Sequence, residues 1–333
     1  MSRIAPGAVE LPGFVPRRGL GNGHAMTLFA WARSRTYPGL PEPDARFFQT
    51  TDDTQVLAHC YWQADRFEQP TLVALHGLEG SSSGHYMRGM AHQAWLRGWN
   101  AVLLNHRNCG GTEHLTPTLY HSGLTDDVIG VVRALAAEGQ PHFGVAGYSL
   151  GGNLTLRLAG QLSTDPSLAD LPIRAVAAVS PTLDLALCVT AIERRLNALY
   201  EWNFLRDLRS RLERKAALWP GRFNLEPLRD VRTIRQFDDV YTAPHAGFGD
   251  ARNYYYQASA MRLIERVNVP TLIVSAKDDP FVPDEQFRRP DVTNNPHVRV
   301  LLTKDGGHCG FVSRSGYWAE EIVVRFLAAF MPS

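Results

Sequence analysis

The chemistry in this sequence begins at Ser149, in the run Gly147-Tyr-Ser-Leu-Gly151. Gly147-x-Ser149-x-Gly151 fits a serine carried on a sharp strand-to-helix turn, its hydroxyl projecting above a sheet. β-prone residues 143–146 precede it, and the helix formers Leu154, Leu156, Leu158 and Ala159 follow. The flanking glycines have a steric reason: a tight turn crowds the backbone and leaves no room for Cβ atoms. A serine hydroxyl is a poor nucleophile until a base within hydrogen-bond reach takes its proton. His308, in Gly306-Gly-His308, is the candidate base. A carboxylate that fixes the imidazole tautomer is available in Ala276-Lys-Asp-Asp279. Asp279 is the expected acid, three residues after the small Ala276 and shortly before Val282-Pro283. Asp278 is its alternative and otherwise caps the loop; Asp184 is a poorer third choice.

Attack on an acyl carbonyl puts negative charge on its oxygen, and backbone N–H groups can receive it. Leu150, directly after the serine, is one expected donor. The other is Leu78 in the loop His76-Gly-Leu-Glu-Gly80, where Gly77 lets the chain turn inward. His76 itself reads as structural, its ring anchoring that loop. Asn105-His-Arg-Asn-Cys109 follows another strand end and either lines the site or packs the loop.

These residues need a scaffold that brings strand ends together. Residues 45–50 and 55–62 read as a hairpin turning at Thr51-Asp-Asp-Thr54. Short apolar runs follow at 71–75, 101–104, 143–146, 173–179, 271–275 and 298–302, as expected of strands buried on both faces. Helical patterns at 86–97, 125–137 and after Ser149 alternate with them, and a last helix spans 317–330. Thr125 reads as an N-cap, with Asp126 and Asp127 as first-turn acids that suit the helix dipole. Strands alternating with helices predict an α/β fold: a mostly parallel eight-stranded sheet with helices on both faces. The serine, the acid and the base then all fall after strand C-termini, where ligands meet such sheets. From residue 184 to 262 the alternation stops in a mainly helical stretch. The expected organisation is an N-terminal extension at 1–43 packed on the core through a short helix at 25–34, a first core part at 44–183, a helical lid at 184–262 and a second core part at 263–333.

Composition narrows the function class. A net charge of +1 supplies no field for nucleic acid, and 44% hydrophobic with 20% charged residues is ordinary for a globular protein. The arginines between 194 and 235 read as solvated helix faces. The four cysteines show no C-x-x-C spacing and are expected as reduced thiols in a cytoplasmic protein. The N-terminus has no signal-peptide pattern, and no apolar run approaches the ~20 residues that span a bilayer. Phosphate-loop and zinc-protease motifs are absent, Gly19, Gly21 and Gly23 do not follow a strand, and the twelve histidines show no metal-ligand spacing. No cofactor and no metal are expected.

The combined blocks resemble the YheT-like branch of the α/β-hydrolases. They are His76-Gly-Leu-Glu-Gly-Ser81, Asn105-His-Arg-x-Cys109, Tyr120-His-Ser-Gly123 with Asp126, Gly147-Tyr-Ser-Leu-Gly-Gly-Asn153, Phe237-Asp-Asp with Tyr241-Thr, Gly247-Phe with Tyr254-Tyr255 and Ser259, Ala276-x-Asp-Asp-Pro-Phe281, and Gly306-Gly-His308. They run from about Leu72 to the C-terminus in family order. Asn108 and Gly110 depart from the family, which usually has Gly and Ser beside the cysteine. The resemblance implies an esterase or lipase-type hydrolase using Ser149, Asp279 and His308. A short- to medium-chain acyl ester is the expected substrate, with a thioester or a lipid ester as alternatives and a catalytically silent binding protein as the rival class. The lid aromatics Tyr200, Trp202, Phe204, Trp219 and Phe223 either line an acyl pocket or pack the lid on the core.

Overall fold

The computed structural model describes residues 5–332; the first four residues of the N-terminal extension and Ser333 lie outside it. Eight strands form one sheet: β1 (Asp44–Thr51), β2 (Thr54–Tyr61), β3 (Thr71–Leu75), β4 (Asn100–Leu104), β5 (Phe143–Tyr148), β6 (Ile173–Val179), β7 (Thr271–Ala276) and β8 (Val298–Thr303). Their order is β1-β2-β4-β3-β5-β6-β7-β8. The hairpin β1–β2 and the pair β2–β4 are antiparallel, and every later pairing is parallel.

The central strands are apolar throughout, yet their side chains still alternate between faces. Val73, Leu75, Val102, Leu104 and Val145 point to one face, where they meet α3 (Asp126–Ala137) and α4 (Leu150–Gln161). Leu72, Ala74, Leu103, Ala146 and Tyr148 point to the other, against α2 (His85–Trp95) and the C-terminal helix Trp318–Ala328. A further helix, α1 (Gly23–Ala32), lies ahead of the sheet in sequence. It buries Met26 and Ala30 against Val312.

Between β6 and β7 the chain forms α5 (Leu185–Ile192), the 21-residue α6 (Ala198–Leu218), several short turns and the helix Ala251–Ala258. This stretch has its own apolar cluster, including Leu205, Leu208, Leu212, Phe223 and Phe237. That cluster meets the core at Phe281, with Leu78 packed beside it.

One helix start differs from the sequence expectation. Thr125 precedes α3 but makes no side-chain capping bond. Asp127 is not a dipole-compensating surface acid either. It is buried and accepts both Nε and Nη2 of Arg107 (2.9 and 2.6 Å), plus the Thr50 hydroxyl at 2.8 Å. The partner that captures it comes from the loop after β4, and no local signal places that loop there.

Candidate active site

Six non-glycine residues among those described have positive φ: Glu79, Asn108, Ser149, Ser180, Cys309 and Phe311. Each follows the C-terminal end of a parallel strand, so backbone strain is gathered on one rim of the sheet. Such strain persists only where the surrounding structure over-determines it, and it gathers at functional sites.

Ser149 sits between β5 and α4 at φ 53° and ψ −114°. Its N–H donates to Val179 O at 2.9 Å, and its carbonyl accepts from Asn153 N at 3.0 Å. A Cβ at Gly147 would lie 2.1 Å from Gly151 O, and one at Gly151 would lie 2.5 Å from both Leu75 O and His76 O. The glycines that flank the serine are therefore forced by contact with backbone. Asn153, one turn into α4, donates to Ser122 O and Ala258 O and accepts from Ala260 N. It ties the elbow to the end of the insertion.

The loops after β7 and β8 meet. His308 Nδ1 lies 2.9 Å from Asp279 Oδ2. The other oxygen of Asp279 accepts the N–H groups of Phe281 and Val282 at 3.1 and 3.0 Å. Asp278 turns elsewhere and accepts Gly307 N–H at 2.9 Å. Asp184 caps α5 by accepting Leu187 N–H. Burial alone would pull the His308 pKa down, but the Asp279 carboxylate and Cys309 overcome it and hold it above the ordinary value. With Nδ1 engaged by the carboxylate, Nε2 is the ring nitrogen left for a proton taken from elsewhere. No hydrogen bond joins Ser149 Oγ to His308 among the described residues; such contacts often tighten only when substrate is bound.

Leu78 follows β3 in a loop gripped from several sides. His76 Nε2 accepts His106 N–H at 3.1 Å, so its proton lies on Nδ1, which donates to Gly77 O at 2.7 Å. His106 Nε2 in turn donates to His76 O at 2.8 Å. Burial, with the neighbouring His106 adding to it, drives the His76 pKa well down and keeps its ring neutral. Gly77 N–H donates to Tyr86 Oη. The N–H groups of Leu78 and Leu150 have no partner among the described residues.

Leu78, Ser149 and Leu150 share the wall of a cavity of about 100 Å³. Leu185, Cys188, Val189 and Ile192 of α5, Phe204 and Leu208 of α6, and Phe281 make the wall apolar. Of the five aromatics singled out in the insertion, Phe204 lines this cavity. The other four do not. Tyr200 packs edge-on to Phe281, and Trp219 donates its indole N–H to Glu113 O. Phe223 belongs to the insertion's own core, and Trp202 is exposed. The loop 105–109 packs rather than lines: Asn105 bonds Ser82, and Cys109 is buried.

Two groups at the site have no role predicted from the sequence, although Asp238 and Tyr255 fall within its family-like blocks. Thr27 of α1 accepts the His308 backbone N–H at 2.9 Å across 281 residues of chain. Asp238 reaches the cavity wall with Tyr255 donating to it at 2.7 Å. Burial pushes its carboxyl up to about 6, against the pull of the Thr242 and Tyr255 hydroxyls.

A model of the alpha/beta hydrolase fold matches residues 70–315. The protein YheT of Escherichia coli (strain K12) is 35% identical over 331 residues, covering 96% of this chain and 94% of that one. The chain belongs to the alpha/beta hydrolase fold family. As a YheT-like member it also resembles longer proteins. Phospholipase ABHD3 of Mus musculus is 30% identical over 78% of this chain and 62% of its own length. The monoacylglycerol lipase of Saccharomyces cerevisiae (strain ATCC 204508 / S288c) is 31% identical over 79% of this chain and 60% of its own. Among solved structures, the Pyrococcus furiosus esterase Pf2001 superposes with a TM-score of 0.61 at 17% identity, over 90% of this chain and 98% of that one. That likeness speaks to the fold. Cleavage of esters is the chemistry that the relatives' names share. No helix among the described residues is long and apolar enough to cross a membrane.

Proposed function

We propose that this chain is a serine hydrolase that cleaves carboxylic esters of short- to medium-chain acyl groups through an acyl-enzyme intermediate. One observation carries the reading. A strained serine, two unpartnered N–H groups and a histidine backed by a carboxylate converge on one sheet rim, the first three on the wall of one small apolar cavity.

In this mechanism Ser149 Oγ attacks the acyl carbonyl while His308 Nε2 takes its proton. The carbonyl oxygen becomes an oxyanion and receives the N–H groups of Leu78 and Leu150. Asp279 stabilises the imidazolium across the 2.9 Å contact. The tetrahedral intermediate collapses as His308 returns the proton to the leaving alcohol. A water molecule, deprotonated by the same imidazole, then cleaves the acyl-serine bond and restores the enzyme. The partner is a small-molecule acyl ester whose apolar acyl group sits among Leu185, Val189 and Phe204. A cavity of about 100 Å³ suits a short acyl chain better than a long one.

A panel of p-nitrophenyl esters of increasing acyl length tests this. Turnover should be greatest at short chains, and Ser149→Ala should abolish it together with labelling by a fluorophosphonate probe. Turnover that survives Ser149→Ala, or silence across the whole panel, overturns the reading.

A further inference from the structure

The turn that carries Leu78 is held by a residue of the insertion. Gly80 N–H donates to Gly77 O at 3.1 Å, which closes a β-turn over residues 77–80. Its third residue, Glu79, has φ of +58°, whereas Leu78 has no positive φ. That is the turn which ordinarily takes glycine or asparagine at this place. A glutamate there pulls the turn toward other conformations unless something holds it.

Two side chains hold it. Tyr120 Oη accepts Glu79 N–H at 3.2 Å and donates to Glu79 Oε1 at 3.1 Å. Arg211 of α6 forms an ion pair with the same carboxylate, and both side chains are buried. Arg211 also donates to Tyr120 Oη at 3.3 Å, lies 4.5 Å above the Tyr120 ring, and points Nη1 at Cys109 Sγ at 2.9 Å. Each Arg211 contact reaches from α6 to a loop that follows a strand end. The N–H of Leu78, inside the turn, has no hydrogen-bond partner among the described residues, and Leu78 shares the cavity wall with Ser149.

We propose that Arg211 is a positioning residue for the Leu78 N–H: through Glu79 and Tyr120 it locks the 77–80 turn, so that docking of α6 and completion of the oxyanion site are one event. This rests on the reading of Ser149 as nucleophile and Leu78 as donor. Buried ion pairs can also serve packing alone, so the test must read the turn rather than stability.

Two double variants do that. Glu79→Gly with Arg211→Met, and Glu79→Ala with Arg211→Met, both remove the two buried charges. They differ in one respect: glycine adopts the positive φ without support and alanine does not. With a p-nitrophenyl ester, the glycine double should keep kcat within about three-fold of the parent. The alanine double and the single Arg211→Met should lose at least about ten-fold in kcat with KM little changed, short of the 10²–10³ that follows outright loss of a donor. Equal kcat in the two doubles, or a loss confined to KM, overturns the inference while the proposed function stands. Should Arg211→Met fail to fold, the two doubles decide between themselves. Ser149→Ala is run beside them: turnover surviving that change overturns the function itself, and this inference with it.

Discussion

Asp278 and Asp279 are adjacent, but the loop turns between them and their carboxyls meet different partners. Asp279 faces His308, whereas Asp278 satisfies Gly307 N–H. Under the proposed mechanism Asp279→Asn leaves the imidazole in the wrong tautomer and should lower kcat by about 10⁴. Asp278→Asn should cost less than about ten-fold, measured with the same ester. The histidine adds a pH dependence. Its folded pKa is raised above 6.5, so the ion-pair stability is fully present below the unfolded value and is lost as pH rises through the folded one. A base must be neutral to accept a proton. The acid limb of kcat/KM should therefore have its midpoint above 6.5, and a midpoint at or below that value would show that Asp279 does not hold the proton on His308.

At the scale of elements, the site is the place where strands hand over to loops. Strand β5 must pass into α4 within one residue, and the turn succeeds because two glycines sit against backbone oxygens. Backbone atoms cannot rotate aside as side chains can. Gly151→Ala should therefore destabilise the protein by about 1–3 kcal/mol or more, seen as a fall in Tm, because its Cβ would press on the carbonyls of Leu75 and His76. A substitution at Gly19, Gly21 or Gly39, which have no neighbour within 4 Å, leaves such contacts untouched. The loops after β3 and β4 show the complementary strategy. Glu79 and Asn108 take positive φ without being glycine, and hydrogen bonds hold them: Glu79 N–H donates to Tyr120 Oη in the loop after β4, and Asn108 Nδ2 donates to Thr118 O within its own loop.

At the scale of the whole molecule, α1 joins parts that are distant in sequence. Thr27 braces the His308 backbone, and His24 Nδ1 lies 3.2 Å from Tyr200 Oη on α6. The same helix packs so closely on the acid loop that a Cβ at Gly23 would lie 1.8 Å from Asp278 O. The N-terminal segment thus touches both His308 and the insertion. Thr27→Val keeps the shape and leaves the His308 N–H without an acceptor, a penalty of about 1–3 kcal/mol for a buried donor. We expect a several-fold fall in kcat with a small fall in Tm; an unchanged kcat would show that the loop after β8 positions His308 unaided.

The strand–helix order, the hairpin at residues 51–54 and the placing of Ser149, Asp279 and His308 after strand ends were legible in the sequence. They depend on local physics: apolar runs for strands buried on both faces, glycines where backbone crowds, and a chain order that puts each loop on one rim. Which groups those loops meet was not legible, because the partners come from elements remote in sequence. Thr27 is an ordinary helical threonine until α1 packs against the loop after β8. Arg211 is one arginine among several on α6, and only the docking of that helix turns it toward Glu79. Phe204 lines the cavity while Trp202, two residues away, faces solvent, because α6 presents one side to the rim and the other to water. The sequence alone determined the scaffold and the strand ends after which Ser149, Asp279 and His308 fall; the tertiary structure decided what braces each of them and which side chains form the cavity wall, since those depend on helix docking and not on any local pattern.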